Sequence, residues 1–556
     1  MFWNALLLLA SAACGFGRST NNKNSDTRHV STYMNPILPG WHPDPSCIFV
    51  PDRGDVFFCT TSTFLAFPGI PIFASRDLVN WRLVSHVLSR PDQVPGLANA
   101  TEQSDGIYAS TLRFHDGTFY LATGFLSGHN VPQILLFSSL NPYDDASWGD
   151  PIRVPVNNYG YDPDLFWDDD NQLYISFAAY NTTRDTEIIM ATFNITTRKS
   201  GTWNTIWTGT GAPWAEGPHL YKKDRFYYLV IAEGGTGLNH SVTVARSTRV
   251  TGPYASYTGN PILTNNNTFD YFQTVGHADL FQDKSGNWWG VALATRSGPT
   301  WKTYPMGRET VLFPATWEKG DWPKLAPVNG IMKGRLPRKD RNPPGRGPLV
   351  DEGDNMDFPP GSTIPQHFLT WRPQPASHFT ISPKGHPYTL RISPSRANLT
   401  GGSSFTAGID SQAFISRLQS STLFRFSVDV LFQPLHDEAE AGISIFLTQF
   451  QHIDLGIVQL RSRKNKLTTH FRLRAETSGL PNINPPQINV KAVPLSWLSQ
   501  PITLRIAAPD DKTYKFTVAP ALQPWNEIEI GQLSSEIVSG GTGKFTGKQA
   551  LNTLIC

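Results

Sequence analysis

The chain is short of several things, and each shortage excludes a class of protein. Its 556 residues include only four cysteines, too few for a disulfide scaffold. It has no excess of one charge: 47 Lys and Arg stand against 45 Asp and Glu, a formal +2, so no global field draws in nucleic acid or an anionic membrane. Gly-x-Ser-x-Gly, His-Glu-x-x-His and a phosphate-binding loop are missing, so the usual serine-hydrolase, zincin and nucleotide chemistries are not indicated. Long apolar runs are missing too, except at the N-terminus.

What is plentiful is aromatic residues, proline and glycine: 16 Trp, 17 Tyr and 33 Phe beside 44 Pro and 45 Gly. That is the composition of a turn-rich, all-β chain, and the length calls for two domains of unequal size. The opening Met-Phe-Trp-Asn-Ala-Leu-Leu-Leu-Leu-Ala-Ser-Ala-Ala-Cys-Gly is an apolar run followed by small residues, too short to span a bilayer. It reads as a signal peptide over residues 1–17 and predicts a secreted, extracellular protein. Asn-x-Ser/Thr acceptors at Asn99, Asn181, Asn194, Asn239, Asn266 and Asn398 fit a secreted glycoprotein. Cys47 and Cys59 admit two readings, a pair bonded across neighbouring strands or a reduced buried pair.

A weak repeat organises the first 335 residues. Five segments share one form, a polar head, a short apolar strand, an Asp/Gly/Asn turn and an aromatic strand. They begin at Asp44, Tyr108, Asp162, Glu216 and His277, with separations of 64, 54, 54 and 61. That interval suits one four-stranded propeller blade with its loops, so the repeat predicts a five-bladed β-propeller over 18–335. The inner strands of such a ring gather their equivalent ends at one mouth, so the five heads should converge. Three carboxylates, a histidine and an aromatic are not what packing alone selects.

Converging carboxylates among aromatics suit glycosidic bond cleavage, which needs a proton donor at the leaving oxygen and a base or nucleophile at the anomeric carbon. A third acid nearby raises the donor's pKa by like-charge repulsion. The run Asp168-Asp169-Asp170-Asn171 falls at a hairpin turn and reads as a solvated turn.

At this point the residues resemble a known family. Asn35-Pro-Ile-Leu-Pro-Gly-Trp-His-Pro-Asp-Pro-Ser, Tyr161-Asp-Pro-Asp-Leu-Phe, Glu216-Gly-Pro-His-Leu-Tyr and Gly276-His-Ala-Asp-Leu are similar, in order, to signature blocks of glycoside hydrolase family 43. The resemblance implies an inverting, single-displacement exo-glycosidase that releases xylose or arabinofuranose from xylan or arabinoxylan oligosaccharides. On the matching positions Asp44 would be the general base, Glu216 the general acid, and Asp162 the residue that tunes and orients Glu216, with Asp164 the weaker candidate for that role. His277 matches a central-channel histidine often found near an ion, commonly calcium, which would be structural; no cofactor is required for the reaction. Arg308 matches an arginine that closes the sugar pocket, and Phe64 and Tyr108 lie in stretches that line it. Relatives often read Trp-Ala-Pro where this chain has Tyr108-Ala-Ser, and Thr-Phe-Glu-Trp-Phe-Pro where it has Thr63-Phe-Leu-Ala-Phe-Pro, so the sugar preference stays open. An endo-arabinanase and a catalytically silent carbohydrate-binding protein are the alternatives.

Residues 336–360 are basic and rich in Pro and Gly, which is linker chemistry. Beyond them, alternating stretches such as Phe424-Arg-Phe-Ser-Val-Asp-Val predict a β-sandwich over 361–556. This part resembles the concanavalin A-like domain of longer family members. The similarity fades after Gly547, so the sandwich is expected to lack a final strand or two.

Overall fold

A computed structural model describes residues 30–128, 132–156, 159–181, 185–401, 405–541, 549–550 and 554–555. The expected signal peptide, residues 1–17, lies outside them. Five antiparallel sheets follow one another along the chain, each beginning with its innermost strand: Ser46–Val50, Gly106–His115, Gly160–Trp167, Glu216–Lys223 and Phe272–Gln282. Each inner strand packs beside the next, and the first also packs beside the fifth, so the sheets close into a ring of five blades.

The second strand of each blade is covered on both faces by neighbouring blades. Strands such as Phe226–Glu233 and Leu173–Tyr180 therefore read as continuous apolar and aromatic runs rather than as alternation. The tight hairpins between first and second strands use residues that tolerate left-handed backbone. In blade 2, Asp116 and Gly117 sit at φ 46° and 75°, the pattern of a primed turn that matches strand twist.

The start of the chain closes the ring. Ser31–Met34 pairs with Ile331–Gly334, and Ile37 and His42 donate backbone hydrogen bonds to Thr310 and Arg308 on the outer part of blade 5. The axis is filled by Arg113, from blade 2. Its guanidinium donates to Asp164 of blade 3 at 2.7 Å, Asp279 of blade 5 at 3.0 Å and Ser46 of blade 1 at 3.2 Å, and lies 3.0 Å from Nδ1 of His219 in blade 4. All five blades thus meet on one cation.

Cys47 and Cys59 face each other across the first two strands of blade 1 and form a disulfide. The segment expected as a linker does not hang free. Leu83 donates its backbone N–H to Pro348, Val350 donates to Trp81, and Arg82 donates to Gly347 at 2.5 Å, so it runs along the edge of blade 1. Its basic residues made it look like a spacer, but blade 1 offers it an open strand edge to pair with. The chain then returns to the propeller, where Thr370–Trp371 pairs with Ala66–Phe67.

The C-terminal unit is a sandwich of a seven-stranded and a four-stranded sheet around Ile443, Ile445, Leu455, Phe471, Leu504 and Phe516. Phe424–Val430 alternates in burial as its sequence pattern requires. Two short strands from the tail, Gln549–Ala550 and Leu554–Ile555, join the larger sheet beside Glu440–Thr448. Buried Arg372 joins the two units, donating to Ala100 at 2.6 Å and to Gln449 Oε1 at 2.7 Å, while Gln103 and Gln449 exchange hydrogen bonds.

Removing the axial cation should leave two buried carboxylates uncompensated. Arg113→Met is expected to destabilise the propeller by about 3–5 kcal/mol, read from the urea-unfolding midpoint; an unmoved midpoint would exclude Arg113 as the tie between blades.

Candidate active site

The inner strands are not regular at their upper ends. Pairing slips between Tyr161 and Asp164, between Glu216 and His219, and around Gly276, the signature of β-bulges. At the centre of these features stand Asp44, Asp162, Gly217 and His277, with φ of 53°, 56°, 58° and 53°. Left-handed backbone costs a non-glycine residue about 1–2 kcal/mol, and such strain concentrates at functional sites. It turns the chain sharply, so that the side chains of Asp44, Asp162 and His277 meet over the axis.

This corrects the phase read from the repeat. Asp44, Asp162 and His277 share one position, and Tyr108 holds its equivalent in blade 2, but Glu216 stands one residue before it, level with Tyr161. In blade 4 the left-handed place is taken by Gly217, the residue for which that conformation is free. A Cβ there would also lie 2.8 Å from the His277 ring. The bulge is the same size in both blades, so Tyr161-Asp-Pro-Asp-Leu-Phe lies without a gap on Glu216-Gly-Pro-His-Leu-Tyr, which places Gly217, not Glu216, opposite Asp162.

Asp44 is buried and held on both oxygens: Arg308 Nη1 donates to Oδ1 at 2.8 Å and Ser62 Oγ donates to Oδ2 at 2.5 Å. His277 Nδ1 stands 3.8 Å from Asp44 and 3.9 Å from Asp162, a bridge between the two acids. Asp162 accepts the backbone N–H of Gly217, which fixes the bulge that presents Glu216. The Tyr161 hydroxyl donates to Glu216 Oε2 at 3.2 Å. Phe64 stacks on Trp41 and touches Tyr108 with ring centroids 4.9 Å apart, and Arg308 lies 5.5 Å from its ring. The structure therefore brings Asp44, Asp162, Glu216, Phe64, Tyr108, His277 and Arg308 to one mouth of the ring.

Electrostatically these groups separate. Burial raises the Asp44 carboxyl, but the Arg308 guanidinium and the Ser62 hydroxyl outweigh it and hold Asp44 below the ordinary carboxylate range. Burial, reinforced by the charge on Asp44, pushes Glu216 up to about 7 against the opposing pull of Tyr161 and Arg308. Asp162 is raised well above its ordinary value by burial and by repulsion from Glu216 and Asp44. Three buried carboxyls this close disfavour joint ionisation, and the two that are raised are Asp162 and Glu216. Burial lowers His277 to about 3, which makes it a neutral imidazole.

Asp164 points the other way. It is fully buried in the channel, on Arg113 and the backbone N–H of Leu220. Its engagement bears on the calcium expected near His277. Calcium takes six to eight oxygen ligands. The channel's hard oxygens, Asp164 and Asp279, are already neutralised by Arg113, and no group of three His, Cys, Asp or Glu suited to a metal occurs among the described residues. The residues present do not fit a resident calcium ion.

Sequence reasoning missed Ser62, Tyr161, His240 and Arg113. Tyr161 stood inside a quoted block, one place before Asp162. Ser62 and Arg113 carry no motif, and a position in the ring was the only signal they offered. His240 was hidden in the loop ahead of a strand; its ring lies 2.5 Å from where a Cβ on Gly276 would be, so that glycine has to be small.

Comparison with known proteins agrees with this architecture. Residues 33–323 match the model of glycosyl hydrolases family 43, and residues 357–550 match the beta-xylosidase C-terminal concanavalin A-like domain. The chain is 31% identical over 525 residues to a non-reducing end alpha-L-arabinofuranosidase of Bacteroides ovatus, covering 93% of this chain and 91% of that one. It is 29% identical over 561 residues to a beta-xylosidase of Bacillus subtilis, covering 93% and 96%. Among solved structures, the family 43 protein of a Bacteroides ovatus xyloglucan locus superposes with a TM-score of 0.79 at 31% identity, covering 93% of this chain and 95% of that one. A xylan beta-1,4-xylosidase of Bacillus halodurans gives 0.79 at 27%, covering 94% and 95%. With a strained ring of acids over a plugged axis, and with the family model spanning more than half of its length, this chain belongs to glycosyl hydrolases family 43 and is a glycoside hydrolase.

Proposed function

We propose that the protein is an inverting exo-glycosidase that releases terminal xylose and arabinofuranose from xylan-derived oligosaccharides. The observation that carries this reading is the opposed acidity of Asp44 and Glu216 in one pocket: one carboxyl held ionised by Arg308, the other held protonated towards neutral pH. Asp44 takes a proton from water as the water oxygen attacks the anomeric carbon. Glu216 delivers its proton to the departing glycosidic oxygen on the opposite face. Burial and the charge on Asp44 keep Glu216 protonated, and Asp162 orients it through the Gly217 bulge. Phe64 and Tyr108 form the wall for the sugar, with Arg308 over Phe64.

The pentose class is supported by the relatives, whose names are xylosidase and arabinofuranosidase. Arabinoxylan fragments are uncharged, in keeping with a protein of formal charge +2. With Arg113 in the channel, the reaction is assigned to protein side chains alone. Secretion is part of the proposal, supported by the apolar N-terminal run, the Cys47–Cys59 disulfide and the exposure of the acceptors Asn99, Asn194, Asn239 and Asn398.

Three outcomes follow. Activity requires Asp44 ionised and Glu216 protonated, so kcat/KM should fall as pH rises through about 7 and, on the acid side, only below the usual carboxylate range; a profile flat to strongly alkaline pH would remove Glu216 from the acid role. Glu216→Ala should lose roughly 100-fold or more on xylo-oligosaccharides while largely sparing aryl glycosides with good leaving groups. Proton NMR of the first-formed sugar should show the inverted anomer, and net retention would refute single displacement.

A further inference from the structure

Tyr161 and Glu216 occupy the same rung on neighbouring blades. Each stands one residue before the left-handed position of its bulge, Asp162 in blade 3 and Gly217 in blade 4, and the two inner strands pack side by side. Equivalent rungs on adjacent strands bring their side chains together. The Tyr161 hydroxyl accordingly reaches Glu216 Oε2, at 3.2 Å. Its ring is fixed between those of Tyr108 and Tyr180, with centroids 5.9 Å and 5.7 Å away, and the residue is only 6% exposed. This hydroxyl is held in place by its surroundings rather than by substrate.

A phenol has one proton to give. The Tyr161 hydroxyl is also hydrogen-bonded to that of Tyr180; with its proton directed to Oε2, the carboxyl proton of neutral Glu216 is left on Oε1. As Glu216 releases it, charge builds on the carboxylate, and the bond from Tyr161 changes from neutral to charge-assisted, roughly twice as strong. An interaction that strengthens as the reaction proceeds lowers the barrier, which one equally strong in the ground state does not do.

We propose that Tyr161 is a positioning residue for the acid step, directing the Glu216 proton to the oxygen that faces the leaving group and steadying the carboxylate left behind. This rests on the reading of Glu216 as general acid. It assigns to the residue before Asp162 a part that a purely aromatic wall would not play.

The test is Tyr161→Phe in the full chain, which keeps the ring and removes the donor. On xylobiose, kcat should fall by about 10-fold or more with little change in KM, the size expected for one hydrogen bond to a charged group. On 2,4-dinitrophenyl β-xyloside, whose leaving group needs no proton, the loss should be no more than about threefold. The alkaline limb of the pH profile should move up, because loss of a donor to the charged form makes Glu216 a weaker acid. As a second probe, 3-fluorotyrosine in place of Tyr161 leaves packing almost unchanged, sharpens the donor and should move the same limb down. Equal losses on both substrates, or a limb that moves in neither variant, would overturn the proposal. Glu216→Ala separates the two failures: equal loss on both substrates there sinks the acid assignment itself, whereas a leaving-group-dependent loss there with an unmoved Tyr161→Phe limb sinks only the role of Tyr161.

Discussion

The rest of the molecule depends on one buried cation. Arg113 reaches from blade 2 into the axis and is met there by Ser46, Asp164, His219 and Asp279, one residue from each of the other blades. Among the described residues the five blades share no strand pairing with one another, so each is fixed to the next by side-chain packing and single hydrogen bonds, which tolerate small rotations. A guanidinium with five donors in a rigid plane does not tolerate them. Charge pairing at the axis therefore sets the mutual angle of the inner strands, and that angle decides whether side chains from five strands can converge within one sugar's width.

Above this floor the site is made by backbone rather than by choice of side chain alone. Left-handed residues at Asp44, Asp162, Gly217 and His277 fold the strand ends inward. The strain is offset by the ring below and by the hydrogen bonds each acid receives. The same bulges explain the electrostatics. They bury three carboxyls together, where Arg308 holds Asp44 ionised and burial and mutual repulsion raise Asp162 and Glu216. Acid and base are distinguished by which of them the arginine touches.

Much of this was legible in the sequence. Five segments at blade-length spacing gave the ring, and their polar heads gave Asp44, Asp162, Glu216 and His277, because a repeat is visible wherever apolar strands and turn residues recur together. What stayed hidden was local geometry and long-range pairing. The one-residue offset of Glu216 shows only when Tyr161-Asp-Pro-Asp-Leu-Phe is laid on Glu216-Gly-Pro-His-Leu-Tyr, which sets Asp162 opposite Gly217. Arg113 lies in an ordinary strand pattern, and only the closed ring reveals that Asp164 and Asp279 face it. Residues 336–360 read as linker by composition, yet an open edge on blade 1 was there to receive part of them. The Cys47–Cys59 pair was undecidable until the register placed the two directly opposite.

The closure of the ring by the chain's own beginning bears on synthesis. Ser31–Met34 emerges early, but its partner strand, Ile331–Gly334, is made about 300 residues later. Until then blade 5 lacks the neighbour that covers its outer strand, and the first blade lacks the last. A nascent chain carrying four finished blades is therefore an open arc with two exposed flanks, vulnerable to pairing with other chains. The axial contacts are made in the same order along the chain: Asp164 and His219, which meet Arg113, are synthesised before Asp279, the blade 5 carboxylate that completes the set.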